Sequence, residues 1–260
     1  MNHRPRKRFG QNFLHDPGII GKIVAAVDPR PDETLVEIGP GQGAITLPLL
    51  KAAGKLTVVE LDRDLILPLQ TRCREAGELT VHNADALRLD FCGLADNAPL
   101  RVVGNLPYNI STPLLFHLLD QHHCIQDMHF MLQKEVVDRM SAQPGSRQYG
   151  RLSVMLQYRC RVTPLFAIGP GAFNPPPKVD SAFVRLDPYA QPPISVDNES
   201  VFATLVRQAF AQRRKTLRNT LREILDANEI KEAGVDPTAR AETLSLNAFA
   251  ALANRAARRS

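Results

Sequence analysis

The sequence predicts a doubly wound α/β domain followed by a small all-helical one. Three observations carry this. Over the first two thirds of the chain, short apolar runs alternate with amphipathic segments of helical length, the pattern of parallel strands with helices on both faces. Beyond Cys160 two β-like runs are joined by a Gly/Pro-rich stretch too short for a helical crossover. From Asn198 onward the pattern is helical without a convincing strand. A length of 260 residues fits two domains, and 44% apolar with 23% charged side chains exclude a disordered, collagen-like or coiled-coil chain.

The expected strands are Leu35–Ile38, Leu56–Leu61, Leu79–Asn83, Leu100–Gly104 and Met128–Leu132, with helices near 17–27, 43–53, 63–76 and 111–121 between them. Asp16 before Pro17, Ser111 before Thr112-Pro113, and Gly54 and Gly77 supply helix boundaries. Further helices are expected at 135–143 and 150–160. Val162–Ile168 and Ala182–Leu186 then read as an antiparallel hairpin, which needs no crossover helix. Pro188 to Pro193 reads as a linker, which sets expected domains at 1–190, with a basic N-terminal arm, and 197–260. No internal repeat is evident.

No run reaches the roughly 18 apolar residues of a membrane span, and no apolar segment follows the basic N-terminus as a signal peptide requires. The expectation is a soluble, cytoplasmic chain that is monomeric by default. Cys73, Cys92, Cys124 and Cys160 are far apart in sequence and each lies in or beside an apolar segment. Reduced, buried cysteines and no metal are expected. The formal charge of +5 is unevenly spread: residues 1–16 and 197–260 each carry +3, and the segment between them −1. Two basic ends on a near-neutral core suit a nucleic-acid-binding enzyme, and equally an ordinary protein with solvated ends.

The first strand runs into Glu37-Ile-Gly39-Pro-Gly41-Gln-Gly43-Ala44 at the start of the next helix. Glycines let the backbone turn tightly and approach a ligand, and the helix start offers free N–H groups. Glu60, ending the second strand, can accept both hydroxyls of a ribose. Gly39, Gly41, Ala44 and Glu60 also satisfy a dinucleotide fingerprint, so a nicotinamide cofactor stays open on these residues alone. The spacing Glu37-x-Gly39-x-Gly41-x-Gly43 resembles the first motif of S-adenosylmethionine-dependent methyltransferases. Asp85, in Asn83-Ala84-Asp85-Ala86 after the third strand, stands where that family binds the adenine amino group, though Asp85 also reads as a helix cap.

The fourth strand ends in Asn105-Leu106-Pro107-Tyr108, and ligands of open α/β sheets bind beyond such strand ends. The segment resembles the Asn/Asp-x-Pro-Tyr/Phe motif of methyltransferases acting on planar amino groups. Such an amino group is a poor nucleophile, because its lone pair is delocalised into the ring. The Asn105 side-chain oxygen and a backbone carbonyl near Leu106 can hold its two hydrogens and favour a pyramidal nitrogen. Leu106 precedes a proline and is expected to be extended. Tyr108 can stack on the base in a near-attack position. No strong general base is needed, since the methylated amino group becomes acidic enough to lose its proton to water. Phe173, opening the stiff Phe173-Asn-Pro-Pro-Pro-Lys178, can present its ring to the other face of an extruded base, or the segment is simply a rigid hairpin loop.

Arg4 to Arg8 form a basic arm, and Gln11 to Leu14 add amides and aromatics able to close over a cofactor. Near the other end, Arg207, Arg213, Arg214, Lys215, Arg218 and Arg222 crowd together; on one helix Arg207, Arg214 and Arg218 would share a face. Such a stripe gives phosphate affinity with little base reading.

Seven segments in order, Arg6–Leu14, Glu37–Gly43, Asn105–Pro113, Gln133–Arg139, Tyr149–Ser153, Phe173–Ser181 and Phe210–Arg218, resemble the ribosomal RNA adenine dimethyltransferases over nearly the whole chain, and within them the bacterial small-subunit branch. The resemblance implies a Rossmann-like class I methyltransferase sheet, mostly parallel, with the helical domain on ribosomal RNA. It implies dimethylation of N6 on two adjacent adenosines near the 3′ end of 16S rRNA and a role in 30S assembly, with S-adenosylhomocysteine as product. It places Asn12, Leu14, Gly39, Gly41, Glu60, Leu61, Asp85, Ala86 and Asn105 on S-adenosylmethionine, and Asn105, Leu106, Tyr108 and Phe173 on the target adenine. Arg6, Lys7, Arg8, Arg207, Arg214, Lys215, Arg218 and Arg222 are the expected RNA contacts. The rivals are a 23S rRNA dimethyltransferase of the macrolide-resistance type and a non-catalytic ribosome assembly factor.

Overall fold

The computed structural model describes residues 12–95 and 98–258; Arg6, Lys7, Arg8 and Gln11 lie outside the described residues. The alternating segments form β1 (Phe13–Leu14), α1 (Pro17–Val27), β2 (Thr34–Ile38), α2 (Thr46–Ala53), β3 (Lys55–Val59), α3 (Arg63–Cys73), β4 (Glu78–His82), β5 (Leu100–Asn105), α4 (Ser111–Asp120) and β6 (Ile125–Gln133). Then come α5 (Lys134–Met140), α6 (Arg151–Arg159), β7 (Cys160–Ile168), β8 (Phe173–Asn174) and β9 (Ser181–Pro188). The rest is α7 (Glu199–Ala209), α8 (Leu217–Thr220), α9 (Ala227–Glu232) and α10 (Leu246–Ala257).

Local chemistry explains the boundaries. The Asp16 carboxylate accepts from the Ile19 N–H at 2.9 Å, and Pro17, which lacks an N–H, takes the first turn of α1. Helix α2 starts three residues later than expected because Gly41 and Gly43 adopt φ of +57° and +79°. A Cβ on Gly43 would also sit 2.6 Å from Leu69 Cδ1 of α3. Strand β2 is buried from Leu35 to Ile38, and β5 from Leu100 to Gly104, as central parallel strands covered on both faces must be.

The main sheet has the order β4-β3-β2-β5-β6-β9-β7. Strands β4, β3, β2, β5 and β6 are parallel, and β9 runs antiparallel to β6. The expected pair at residues 162–168 and 182–186 is adjacent, with β9 inserted between β6 and β7. A small second sheet, absent from the sequence reading, pairs β1 with β8. At the opposite end of the sheet from the strand carboxyl ends, buried Arg101 donates to Asp127, to Glu33 and to the Val27 and Asp28 carbonyls. This ties the end of α1 to β5 and pairs the buried guanidinium with two carboxylates.

Two compact units result: the chain up to Val137 with Thr163–Pro188, and Asp138–Val162 with Tyr189–Ser260. The first has its core around Leu35, Leu49, Leu69, Val103 and Phe183. In the second, Tyr158 of α6 meets Phe202 of α7 with ring centroids 4.7 Å apart, and Phe210 meets Phe249 at 5.7 Å. The C-terminal helices thus share one core with α6. Among the described residues no helix is long and apolar enough to cross a membrane.

The cysteine expectation is half corrected. Cys73 and Cys160 are buried and form no disulfide, but Cys92 and Cys124 form one across 32 residues of sequence. Sequence spacing hid the pair because a tertiary contact makes it: the Gln121 side-chain oxygen accepts from the N–H groups of Phe91 and Cys92, at 2.7 and 3.3 Å.

Candidate active site

The strand order reverses between β2 and β5, and crevices form at such points beyond the strand carboxyl ends. Ile38 and Gly104 are register partners. A Cβ on Gly104 would lie 2.6 Å from the Ile38 carbonyl oxygen, so only glycine admits so close a strand. This approach sets the loop starting at Gly39 beside Asn105. A cavity of about 330 Å³ opens there, within the roughly 300–1,000 Å³ usual for small-molecule sites. It is lined by Asn12, Leu14, Gly39, Gly41, Glu60, Leu61, Asp85, Ala86 and Asn105, and also by Leu106 and Tyr108.

Glu60 follows β3 and is 6% exposed. Its carboxylate accepts from Asp62 N–H at 2.8 Å and Gly41 N–H at 3.2 Å, which fixes it against the glycine loop. Each oxygen keeps a further acceptor position for a hydroxyl. Burial raises the pKa of Glu60 above the ordinary value, against these two hydrogen bonds. The loop is pinned from outside by Arg72, which donates to the Gln42 carbonyl at 2.8 Å. Asp85 accepts from the Leu87 N–H at 3.0 Å and lines the cavity; no helix begins there among the described residues, so it closes a turn rather than capping a helix.

Asn105 ends β5, and its Nδ2 donates to the Asn12 carbonyl at 3.1 Å. That bond fixes which end of the amide is oxygen and leaves Oδ1 as the acceptor for a ligand. The Leu106 N–H donates to the Met131 carbonyl at 3.1 Å, holding the loop on β6. The Tyr108 hydroxyl is 2.7 Å from Ser181 Oγ at the start of β9, and burial raises the pKa of the phenol. Phe173 does not join them. It is 3% exposed and absent from the lining, because the pairing of Leu14 with Phe173 folds its ring into the core of the first unit.

Glu37 is the residue that sequence reasoning underused. It is 1% exposed yet lines the cavity, and Oε2 has no hydrogen-bond partner among the described residues. Burial pushes its pKa up to about 8, with a smaller push from the charge of Glu60. Its signal was an acid inside the apolar strand Leu35-Val-Glu-Ile, a position that costs stability unless a ligand uses it. Phe13, in the segment expected to close over a cofactor, sits against the glycine loop: a Cβ on Gly41 would lie 3.2 Å from its ring. Four acids (Glu37, Glu60, Asp62 and Asp85), a glycine cradle without side chains and an unpartnered buried oxygen fit S-adenosylmethionine, which carries an ammonium, two ribose hydroxyls and an adenine amino group.

The cations of the second unit are arranged differently from the expectation. Arg207 lies on α7, Arg214 and Lys215 on the exposed segment after it, Arg218 on α8, and Arg222 beyond α8. No single helical face unites them, because α7 ends at Ala209 and the exposed residues 211–215, polar but for Ala211, bury nothing. Lys215 and Arg222 instead border a polar recess with Gln208, Gln212 and Asn219.

Comparison with known proteins agrees with this geometry. Residues 2–258 match the family profile described as ribosomal RNA adenine dimethylase. Ribosomal RNA small subunit methyltransferase A of Pseudomonas aeruginosa is 57% identical over 256 residues, covering 98% of this chain and 96% of the relative. Among solved structures, a dimethyladenosine transferase from Plasmodium falciparum is similar with a TM-score of 0.80 and 28% identity, covering 92% of this chain and 95% of that one. The 23S rRNA methyltransferase ErmE is similar with a TM-score of 0.74 and 25% identity, covering 94% and 99%. An S-adenosylmethionine-type cavity beside an Asn-Leu-Pro-Tyr strand end, on a chain matched almost from end to end, belongs to the ribosomal RNA adenine dimethylase family.

Proposed function

We propose that this chain dimethylates N6 of two adjacent adenosines near the 3′ end of 16S rRNA, within the small ribosomal subunit or its precursor, and takes part in the assembly of that subunit. The observation that carries the proposal is the placement of Asn105, Leu106 and Tyr108 on the wall of the cavity that the glycine loop and Glu60 also line. Bound S-adenosylmethionine supplies an electrophilic methyl group on a sulfonium and leaves as S-adenosylhomocysteine.

The chain's residues do the rest. Glu60 takes the ribose hydroxyls, Asp85 with the Ala86 N–H takes the adenine edge, and Asn12, Leu14, Gly39, Gly41 and Leu61 close around the cofactor. Asn105 Oδ1 and the Leu106 carbonyl accept the two hydrogens of the target amino group and turn its lone pair toward the methyl. Tyr108, anchored through Ser181, stacks on the target base. Among the described residues the lining holds no histidine or lysine, and the methylated nitrogen loses its proton to water.

The first unit is the methyltransferase and the second holds RNA. Arg207, Arg214, Lys215, Arg218 and Arg222 contact phosphates, with Arg6, Lys7 and Arg8 of the N-terminal arm. The chain acts as a monomer in the cytoplasm, where its ribosomal substrate is. A 16S target is favoured over a 23S target because the small-subunit relative shares 57% of its sequence and the 23S enzyme 25%.

Labelled S-adenosylmethionine offered with unmethylated 30S subunits, 50S subunits and duplex DNA in parallel tests the proposal, with mass spectrometry of the digested nucleosides. N6,N6-dimethyladenosine in the 30S sample alone is expected. Product in the 50S sample would replace the substrate, and no product anywhere would leave a non-catalytic assembly factor.

A further inference from the structure

Cys92, His123 and Cys124 stand apart from everything the methyl transfer uses. None lines the cavity. Cys124 immediately precedes β6, at the opposite end of the parallel strands from Asn105. The two sulfurs and a ring nitrogen of His123 all lie within 4.8 Å of one another. The His123 Nε2 is 3.4 Å from Cys92 Sγ. Bonds of about 2.3 Å to sulfur and 2.0–2.1 Å to nitrogen place the S and N ligands of one tetrahedral zinc about 3.6 Å apart. The imidazole is therefore already at ligand distance from the first sulfur.

The Cys92 and Cys124 Cα atoms are 5.5 Å apart, and this proximity does not depend on the S–S bond. Gln121 holds the two segments together: its side chain accepts from the Phe91 and Cys92 N–H groups and donates to the Leu89 carbonyl, at 2.7, 3.3 and 3.2 Å. Its carbonyl faces both sulfurs, 3.1 Å from Cys124 and 3.7 Å from Cys92. When the disulfide is opened the sulfurs stay within reach of one ion. Side-chain rotation alone takes them to the roughly 3.8 Å that two thiolates adopt on a single zinc.

We propose that Cys92, His123 and Cys124 form, in the dithiol state, a site for one soft divalent cation of the zinc class, with water in the fourth position. A dithiol reductant opens the S–S bond, giving two thiols and its own disulfide. Each thiol then loses a proton as its sulfur binds the metal, so two protons leave for each ion taken up. His123 binds as neutral imidazole. All three residues are partly or fully open to solvent, which provides an entry path and the open position. Soft thiolate and imidazole donors select zinc, or cobalt as its spectroscopic substitute, over magnesium or calcium.

The test uses the full chain, reduced with a phosphine under anaerobic conditions and titrated with cobalt(II). One equivalent is expected to produce the near-ultraviolet sulfur-to-cobalt band with the visible bands of a tetrahedral ion, and zinc is expected to erase both. The oxidised chain, Cys92→Ser and Cys124→Ser are expected to lack the sulfur band. Removal of groups merely behind metal ligands costs roughly 10–100-fold in affinity, so His123→Ala is expected to weaken binding by at least that order. Three outcomes would overturn the proposal: a disulfide that the phosphine leaves intact, a reduced chain without the sulfur band, or an undiminished band in Cys92→Ser. The last would assign the metal to Cys73 or Cys160.

Discussion

The cavity of the first unit and the cationic surface of the second serve the same proposed reaction but are built on different physical terms. Around the cavity, Asn12, the glycine loop, Glu60, Asp85 and Asn105 converge from five segments of the first unit, and single hydrogen bonds of 2.8 to 3.2 Å orient Glu60 and Asn105. On the second unit, Arg207, Arg214, Lys215, Arg218 and Arg222 spread over two helices and the segments after them. Methyl transfer needs atoms placed to a fraction of an ångström, whereas phosphate attraction needs only charge in the right region. Geometry demands fixed residues at fixed spacing; charge tolerates any arrangement that stays exposed.

The largest effect on cofactor affinity that sharpens this contrast is expected at Glu60. Glu60→Gln keeps one acceptor for the glycine loop but loses the charge that strengthens hydrogen bonds to hydroxyls. Charge-assisted hydrogen bonds contribute about 1.5–3 kcal/mol, so the affinity for S-adenosylmethionine should fall roughly 10–100-fold, measured by calorimetry, with 30S binding unchanged. Equal losses in both would break the division between the two regions.

Next in size is Gly104→Ala. The added methyl would press on the Ile38 carbonyl between two central strands. Overpacking of this kind costs about 1–3 kcal/mol, which denaturant unfolding would show as a lower midpoint. An unchanged midpoint would contradict the close approach that sets the two motifs side by side.

Smaller effects are expected from single cations. Lys215→Ala should weaken binding to 30S particles a few-fold and reduce the slope of log affinity against log salt by about one. The methylation rate at saturating particle should stay the same. A lost rate with unaltered salt dependence would move Lys215 into the catalytic geometry.

The mildest test is the pH response of the cofactor-free chain. The folded chain holds Glu37 with a pKa of about 8 against an ordinary 4.5, so it keeps a proton that the unfolded chain releases. The stability this contributes is full below about 4.5 and is lost as pH rises through about 8. The thermal midpoint of the cofactor-free chain should therefore drop on that rise, and Glu37→Gln should flatten the drop. Identical curves would remove Glu37 from the account.

What was legible in the sequence follows the same line. The strands and helices of the first unit were readable because apolar runs of strand length alternate with capped amphipathic segments, and the glycine and Asn105 motifs because their spacing is itself the geometry. Three features were hidden. Phe173 reads as an aromatic presented by a stiff proline loop, but the β1–β8 pairing that buries it joins strands of two residues each, too short to carry a pattern. The cations read as one helical stripe, because the sequence after α7 does not reveal that its residues find no core to pack on. Cys92 and Cys124 met only through a tertiary contact made by Gln121, which no spacing rule contains.

The central claim is that Asn105 activates the target amino group. Its most direct test is single-turnover methylation of unmethylated 30S subunits by Asn105→Ala at saturating S-adenosylmethionine. Removing one preorganised polar group from a reacting centre costs roughly 10²–10³-fold in rate, and a loss of that order with undiminished 30S binding is expected. A rate within a few-fold of the unaltered chain would contradict the role assigned to Asn105 and the mechanism built on it.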